Sequence, residues 1–190
     1  MRYSTWHTFF FDIKTGKPDH EATCQGYRDG SAWARGQAWG IYGLALSYRY
    51  TRDSSLITLF RKVTEYYLEH LPSDLVPYWD LEFTDGSGEP RDSSSASIAV
   101  CGMLEMAKYL EEQEKKQYTS LAKKIMKSLY DSYAVKDAKT SNGLVFHSTY
   151  SNKSPYNTCE HKGVDECNSW GDYFYMEALT RLHKDWELYW

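Results

Sequence analysis

The sequence predicts an all-α protein made of repeated helical hairpins, and three observations carry that prediction. Two segments, 55–71 and 118–133, place apolar residues at the spacing of an amphipathic helix with one wet side. Three others, 33–50, 96–110 and 170–182, are small or apolar around most of their circumference, as helices enclosed on several sides are. The two kinds alternate along the chain, which is the pattern of an inner helix, an outer helix and a return.

In chain order, Asp29-Gly30-Ser31 leads into the first inner helix, Trp33 to Tyr50. The outer segment that follows buries a stripe of Leu56, Leu59, Phe60, Val63, Tyr67 and Leu71 and stops at Pro72, which cannot continue a helix. Asp92-Ser93-Ser94 then precedes the second inner helix, Ala96 to Leu110, and residues 118–133 oppose Leu121, Ile125 and Leu129 to Lys123, Lys124 and Lys127. Asp165-Glu166-Cys167-Asn168-Ser169 precedes the third inner helix, Trp170 to Leu182. The Asp residues that open the three clusters are 63 and then 73 residues apart. Each cluster supplies N-cap chemistry, so Asp29, Asp92 and Asp165 are read as N-caps. Each inner helix also carries an early glycine (Gly36, Gly102, Gly171) where close packing is expected.

Such hairpins build either an open solenoid or a closed toroid. The connections entering the inner helices, 72–92 and 135–168, are long, and they would gather at one mouth. Loops of this kind either form a binding site or plug the end of the bundle. The expected organisation is a single domain over residues 1–190.

Composition narrows the function classes. The chain has 190 residues, of which 42% are hydrophobic and 25% charged, the profile of a globular domain. Aromatic residues reach 16%, with 17 Tyr and 7 Trp, and rings with a polar tip serve both as core and as platforms for sugar faces. A net charge of -4 argues against a nucleic-acid partner, and no apolar run is long enough for a membrane span. The four cysteines (Cys24, Cys101, Cys159, Cys167) lack zinc spacing. Free thiols are expected, with a Cys159–Cys167 bond as the alternative, and no metal or cofactor is implied. The first residues do not read as a signal peptide, so a cytoplasmic location is expected, or a periplasmic one if a leader lies upstream.

The densest motif runs from Cys24 to Trp39 and sets Arg35 and Trp39 at i, i+4 on one helix face. Two readings stand open at this point. An arginine beside an indole can clamp a sugar carboxylate next to a stacking surface, or it can pack on Trp39 by cation–π contact and help close the bundle.

Arg35-Gly36-Gln37-Ala38-Trp39 with Ile41-Tyr42-Gly43 resembles the signature of glycoside hydrolase family 88, the unsaturated glucuronyl hydrolases. Pro77-Tyr78-Trp79-Asp80, Pro90-Arg91-Asp92-Ser93-Ser94-Ser95-Ala96, Gly163-Val164-Asp165-Glu166 and Trp170-Gly171-Asp172-Tyr173-Phe174 extend the likeness in the family's order across residues 7 to 182. The Arg-Gly-Gln-Ala-Trp segment separates it from the related unsaturated rhamnogalacturonyl hydrolases. The resemblance implies an (α/α)6 toroid, of which about three of six hairpins are present as its carboxyl-terminal half. It also implies action on an unsaturated uronic-acid disaccharide or oligosaccharide released by polysaccharide lyases. In that chemistry an Asp protonates the C4=C5 double bond and activates water for attack at C5.

Carried over residue by residue, the family's substrate contacts fall on His7, Gln25, Arg35 and Trp39, with Asn168 and Ser169 as candidates at the last inner helix. The family's catalytic Asp falls upstream of the position equivalent to Met1, so no catalytic residue is expected here. Half a toroid exposes apolar helix faces, so a homodimer or an amino-terminal half is the expected partner. The competing function is a non-catalytic carbohydrate-binding or scaffold protein.

Overall fold

A computed structural model describes residues 3–152, 163–185 and 187. It contains five α-helices and one β-hairpin: β1 (Thr8–Phe11), β2 (Pro18–Ala22), α1 (Ala34–Thr51), α2 (Ser55–Glu69), α3 (Ser93–Ala107), α4 (Glu112–Ser128) and α5 (Ser169–His183). One π-helical turn, Leu129–Tyr133, prolongs α4 and keeps Leu129 and Tyr133 buried.

The inner and outer roles fall as expected. All 15 residues of α3 are buried, because α1 and α5 flank it while α4 covers it from outside. The outer helix α2 packs on α1 and touches α4 through Phe60 against Tyr118 and an Arg61–Glu114 ion pair of 2.7 Å. Ile41, Phe60, Tyr67, Ile98, Met103, Met106, Ile125 and Leu129 form the fully enclosed part of the core. Burying each such side chain is worth about 1.5–3 kcal/mol.

Close approach of α1 and α3 depends on Gly102. A Cβ there would lie 2.8 Å from the backbone N and Cα of Tyr42.

The chain ends of the helices explain their bounds. Arg52 closes α1 in the left-handed region at φ 59, returning its N–H to the Tyr48 carbonyl. The α4 helix starts at Glu112, before the segment expected from Tyr118. Its first turn, Glu112 to Lys116, is wholly polar, so hydrophobic periodicity has nothing there to register.

Among the described residues the fold departs from all-α at one place. Thr8-Phe9-Phe10-Phe11 pairs antiparallel with residues 18–22 across a turn in which Asp12 accepts the N–H groups of Lys14 and Thr15 and Gly16 takes φ 66. A β-prone aromatic run followed by Asp and Gly was the available signal. Two complete hairpins, α1–α2 and α3–α4, and the inner helix α5 are present among the described residues.

The long loops do meet at the amino ends of the inner helices. Isolated bridges join Trp33 to Asp80, Tyr78 to Arg91, and Ser148 to Glu166. The Ser93 N–H at the start of α3 donates to the His147 carbonyl at 3.0 Å.

Candidate active site at the loop end

At this end the Arg35 side chain is 3% exposed and Asp92 is fully enclosed. Arg35 Nη1 donates to Asp92 Oδ2 at 2.9 Å, to Ser94 Oγ at 3.2 Å and to the Thr149 carbonyl at 2.7 Å, while Nη2 donates to the Tyr150 carbonyl at 2.6 Å. Its guanidinium lies 4.6 Å from the Trp33 ring centroid and 5.3 Å from that of Trp170. One cation is thereby sandwiched between two indoles and ties three segments together: α1, the start of α3, and the loop carrying residues 147–152.

Burial pushes the Asp92 carboxyl up, against the attraction of Arg35 and the hydrogen bond from Ser94. Burial likewise lowers the Arg35 guanidinium, so on both sides of the pair desolvation outweighs the attraction and the hydrogen bonds.

The expected clamp geometry is corrected at this point. Arg35 stacks on Trp33 and Trp170 rather than beside Trp39, and both Nη nitrogens are committed to protein acceptors. Trp33 immediately precedes the first turn of α1 and folds back over it, which brings its ring under the guanidinium. Trp39, one turn along, is 37% exposed and packs edge-on against Phe174, centroids 5.1 Å apart.

His7 and Gln25 join Arg35 at the same spot. Gln25 Nε2 donates to the Tyr150 carbonyl at 2.7 Å, the same oxygen that Arg35 Nη2 reaches. His7 Nδ1 accepts the main-chain N–H groups of Cys24 and Gln25, each at 3.0 Å. Accepting there fixes the proton on Nε2. Burial and then the charge of Arg35 lower the His7 pKa, so the ring is neutral at pH 7. It lies 4.4 Å from the Trp33 ring. Three of the four residues expected on the first hairpin side therefore converge, and Trp39 stands apart on the exposed rim.

At the third inner helix, Asn168 is the N-cap of α5, its Oδ1 accepting the Gly171 N–H at 2.7 Å, and Ser169 is exposed at the first helical position. The N-cap reading of the three aspartates needs correction. Asp29 Oδ1 accepts the Thr23 N–H at 2.8 Å, five residues before α1 begins. Asp165 sits in the left-handed region at φ 62 and pairs with His147 Nδ1 at 2.6 Å. Asp92 does occupy the cap position of α3, but its carboxylate turns to Arg35. Unpaired helix N–H groups are weaker claimants than a buried guanidinium.

Sequence reasoning missed the role of Asp80. It is fully buried and accepts from Ser31 Oγ at 2.7 Å and from the Tyr27 N–H at 2.9 Å, pinning the motif loop to residues 78–81. It also missed the carbonyls of Thr149 and Tyr150, which leave no mark in side-chain chemistry. Buried Trp33 Nε1, Trp170 Nε1 and Ser151 Oγ have no hydrogen-bond partner among the described residues. Also among the described residues, no group of three or more His, Cys, Asp or Glu is placed to hold a metal ion, and no helix is long and apolar enough to cross a membrane. Cys24, Cys101 and Cys167 are free thiols, and Cys159 lies outside the described residues.

Parallel inner helices, an outer layer, and an aromatic mouth floored by a buried arginine define the class: an α/α-hairpin protein with its polar site at the loop end. No family model matches the chain. It is 51% identical over 189 residues to the unsaturated chondroitin disaccharide hydrolases of Streptococcus agalactiae serotype III and Streptococcus pyogenes serotype M1, covering 98% of this chain and 46% of each relative. It is 38% identical to the unsaturated glucuronyl hydrolase of Bacillus sp. (strain GL1), over 98% of this chain and 48% of that one. The solved Streptococcus agalactiae enzyme, in a substituted form complexed with dGlcA-GalNAc6S, superposes with TM-score 0.86 at 50% identity, over 100% of this chain and 49% of that one. The Bacillus enzyme superposes with TM-score 0.87 at 37% identity, over 96% and 48%. The chain is a homologue of the unsaturated glucuronyl hydrolases, and it spans about half the length of the curated relatives it matches.

Proposed function

We propose that residues 1–190 form a partial α/α toroid that supplies the sugar-binding part of an unsaturated glucuronyl hydrolase. The observation that carries this reading is the 51% identity to two streptococcal chondroitin disaccharide hydrolases over 98% of the chain. The substrate class is an unsaturated uronic acid linked to a hexosamine, as in the disaccharide bound by the solved streptococcal relative.

The geometry favours distinct tasks for the site residues. The exposed ring of Trp39 stacks on a sugar face. His7, held neutral, offers its Nε2 hydrogen, and Gln25 and Arg35 act mainly by fixing Tyr150 and the loop behind it. Arg35 also adds a positive field beneath an acidic sugar, partly cancelled by Asp92. Asn168 and Ser169 present the amino end of α5 to the same mouth.

Asp29, Asp92 and Asp165 do not fit a proton donor to the C4=C5 bond, because each is engaged by a protein partner. In this reading the catalytic carboxyl belongs to another half of the enzyme, supplied by an amino-terminal helical half or by a second copy. The α5 helix offers it a face: Tyr173, Met176 and Leu179 are 38%, 53% and 42% exposed at successive turns.

The test follows the ultraviolet absorbance of the conjugated uronate. With unsaturated chondroitin disaccharide, the chain alone is expected to bind without turnover, and turnover is expected to appear on adding the amino-terminal half of the streptococcal relative. Turnover by the chain alone would overturn the missing acid, and absence of binding would overturn the sugar site.

A further inference from the structure

The opposite end of the bundle holds a second cluster of charge that the proposed activity does not use. The Arg35 site lies at the amino ends of α1, α3 and α5. The 15 residues of α3 carry the chain about 22 Å away from it. There a cavity of about 280 Å³ opens between the carboxyl ends of α3 and α5 and the stretch of α4 from Lys115 to Lys123. Lys108, Lys115, Lys123, Arg181 and Lys184 line it, and Asp185 is the one acidic lining residue.

Local acids do not neutralise this concentration. Glu105 is shared among Arg49, Lys108 and Arg181, and Glu177 answers only Arg181. Glu112 faces both Lys115 and Lys116. Lys123 and Lys184 have no ion pair among the described residues. A surplus of positive charge thus gathers at one cleft of a chain whose net charge is -4.

Cations at the carboxyl ends of α3 and α5 are partly explained by the helix dipoles. That account covers Lys108 and Lys184 but not Lys115 and Lys123, which belong to α4 well before its end. The Arg181 side chain is 1% exposed and donates through Nε to Glu177 at 2.8 Å and through Nη1 to Glu105 at 2.6 Å. Its Nη2 is buried with no hydrogen-bond partner among the described residues. The Arg181 guanidinium is therefore spent on Glu105 and Glu177 beneath the cleft, and the cationic side chains left to face the cavity are the lysines.

We propose that this cleft binds a phosphate- or sulfate-type oxyanion among Lys108, Lys115, Lys123 and Lys184, with Lys123 and Lys184, which have no ion pair among the described residues, as its principal cations. The ligand is either a free inorganic ion or a sulfate ester on a sugar, and the chemistry recognised is the same. The inference is independent of the activity assigned to the loop end.

The experiment is calorimetric titration of the intact chain with inorganic phosphate and, separately, with N-acetylgalactosamine 6-sulfate, against chloride at matched ionic strength. Saturable binding is expected for at least one oxyanion, together with a rise in melting temperature that chloride does not reproduce. The double variant Lys123→Ala, Lys184→Ala changes only exposed side chains, and circular dichroism checks its fold. It is expected to weaken binding by about tenfold or more, as loss of a charge-assisted hydrogen bond would. The Trp39→Ala variant is expected to bind inorganic phosphate as the parent chain does. Stronger binding of the sugar sulfate identifies an ester as the source, and stronger binding of phosphate identifies a free ion. Heats equal to those of chloride, or a double variant that binds unchanged, would overturn the cleft. So would loss of phosphate binding on Trp39→Ala, by moving the ion to the loop end.

Discussion

Arg35 is the residue on which the loop end depends. Removing it leaves the fully buried Asp92 without its counter-charge and releases the carbonyls of Thr149 and Tyr150. Arg35→Ala is therefore expected to destabilise the chain by about 3–5 kcal/mol, read as a fall in the urea midpoint. Adding Asp92→Asn should recover part of that loss, since the uncompensated charge is then gone. Trp39→Ala should behave in the opposite way. Its ring is partly in solvent and makes an edge contact with Phe174, so the stability cost is expected to be about 1 kcal/mol. Binding of the unsaturated disaccharide should be lost all the same. The pair of outcomes separates a residue that builds the site from one that meets the sugar.

At the scale of the helices, the glycines report packing. Gly102 lets α3 lie against the backbone of α1, and a methyl group there meets main-chain atoms that cannot turn aside. Gly102→Ala is expected to cost about 1–3 kcal/mol in denaturant unfolding. Gly43, on the same helix pair, has open space where its Cβ would be. Gly43→Ala is expected to stabilise by about 0.5–1 kcal/mol, the ordinary gain of helix propensity. The early glycines of the inner helices were visible in the sequence, but not what each of them faces. Gly36 is crowded by the Trp33 ring and Gly171 by Ser148 and Asn168.

For the molecule as a whole, the inner helices are locked at their far ends by a buried network. Glu105 of α3 accepts from Lys108 at 2.8 Å, Tyr109 at 3.0 Å, Arg49 of α1 at 3.3 Å and Arg181 of α5 at 2.6 Å. Burial alone would raise the Glu105 carboxyl, but the hydrogen bonds and charges of Lys108 and Arg181 outweigh it and hold the pKa down at about 2 against an ordinary 4.5. A depressed carboxyl contributes stability that is present above the unfolded value and lost as pH falls through the folded one. The urea midpoint is expected to fall between pH 4.5 and pH 2. In Glu105→Gln that part of the acid sensitivity should vanish, at a lower stability at pH 7. The exposed stripe of Tyr173, Met176 and Leu179 is a second property of the whole. Light scattering at micromolar concentration is expected to show a dimer, and Met176→Lys to shift it towards monomer. A monodisperse monomer in the parent chain would remove this reading.

The sequence by itself determined the helices, their alternation and the end at which the long loops meet. Hydrophobic periodicity and breakers such as Pro72 act locally, and α1, α2, α3 and α5 lie within a few residues of where they were expected. Spacing singled out Arg35 with Trp39 on one face of the first inner helix, whereas His7 and Gln25 entered only through the family resemblance. Only the tertiary structure decided what these residues do. Arg35 finds its carboxylate on Asp92, 57 positions away, and its carbonyls at Thr149 and Tyr150, more than 110 positions away. Main-chain acceptors have no signature in residue identity. The choice of Trp33 and Trp170 over Trp39 as the stacking planes depended on how α1 and α5 come together, which no local pattern encodes.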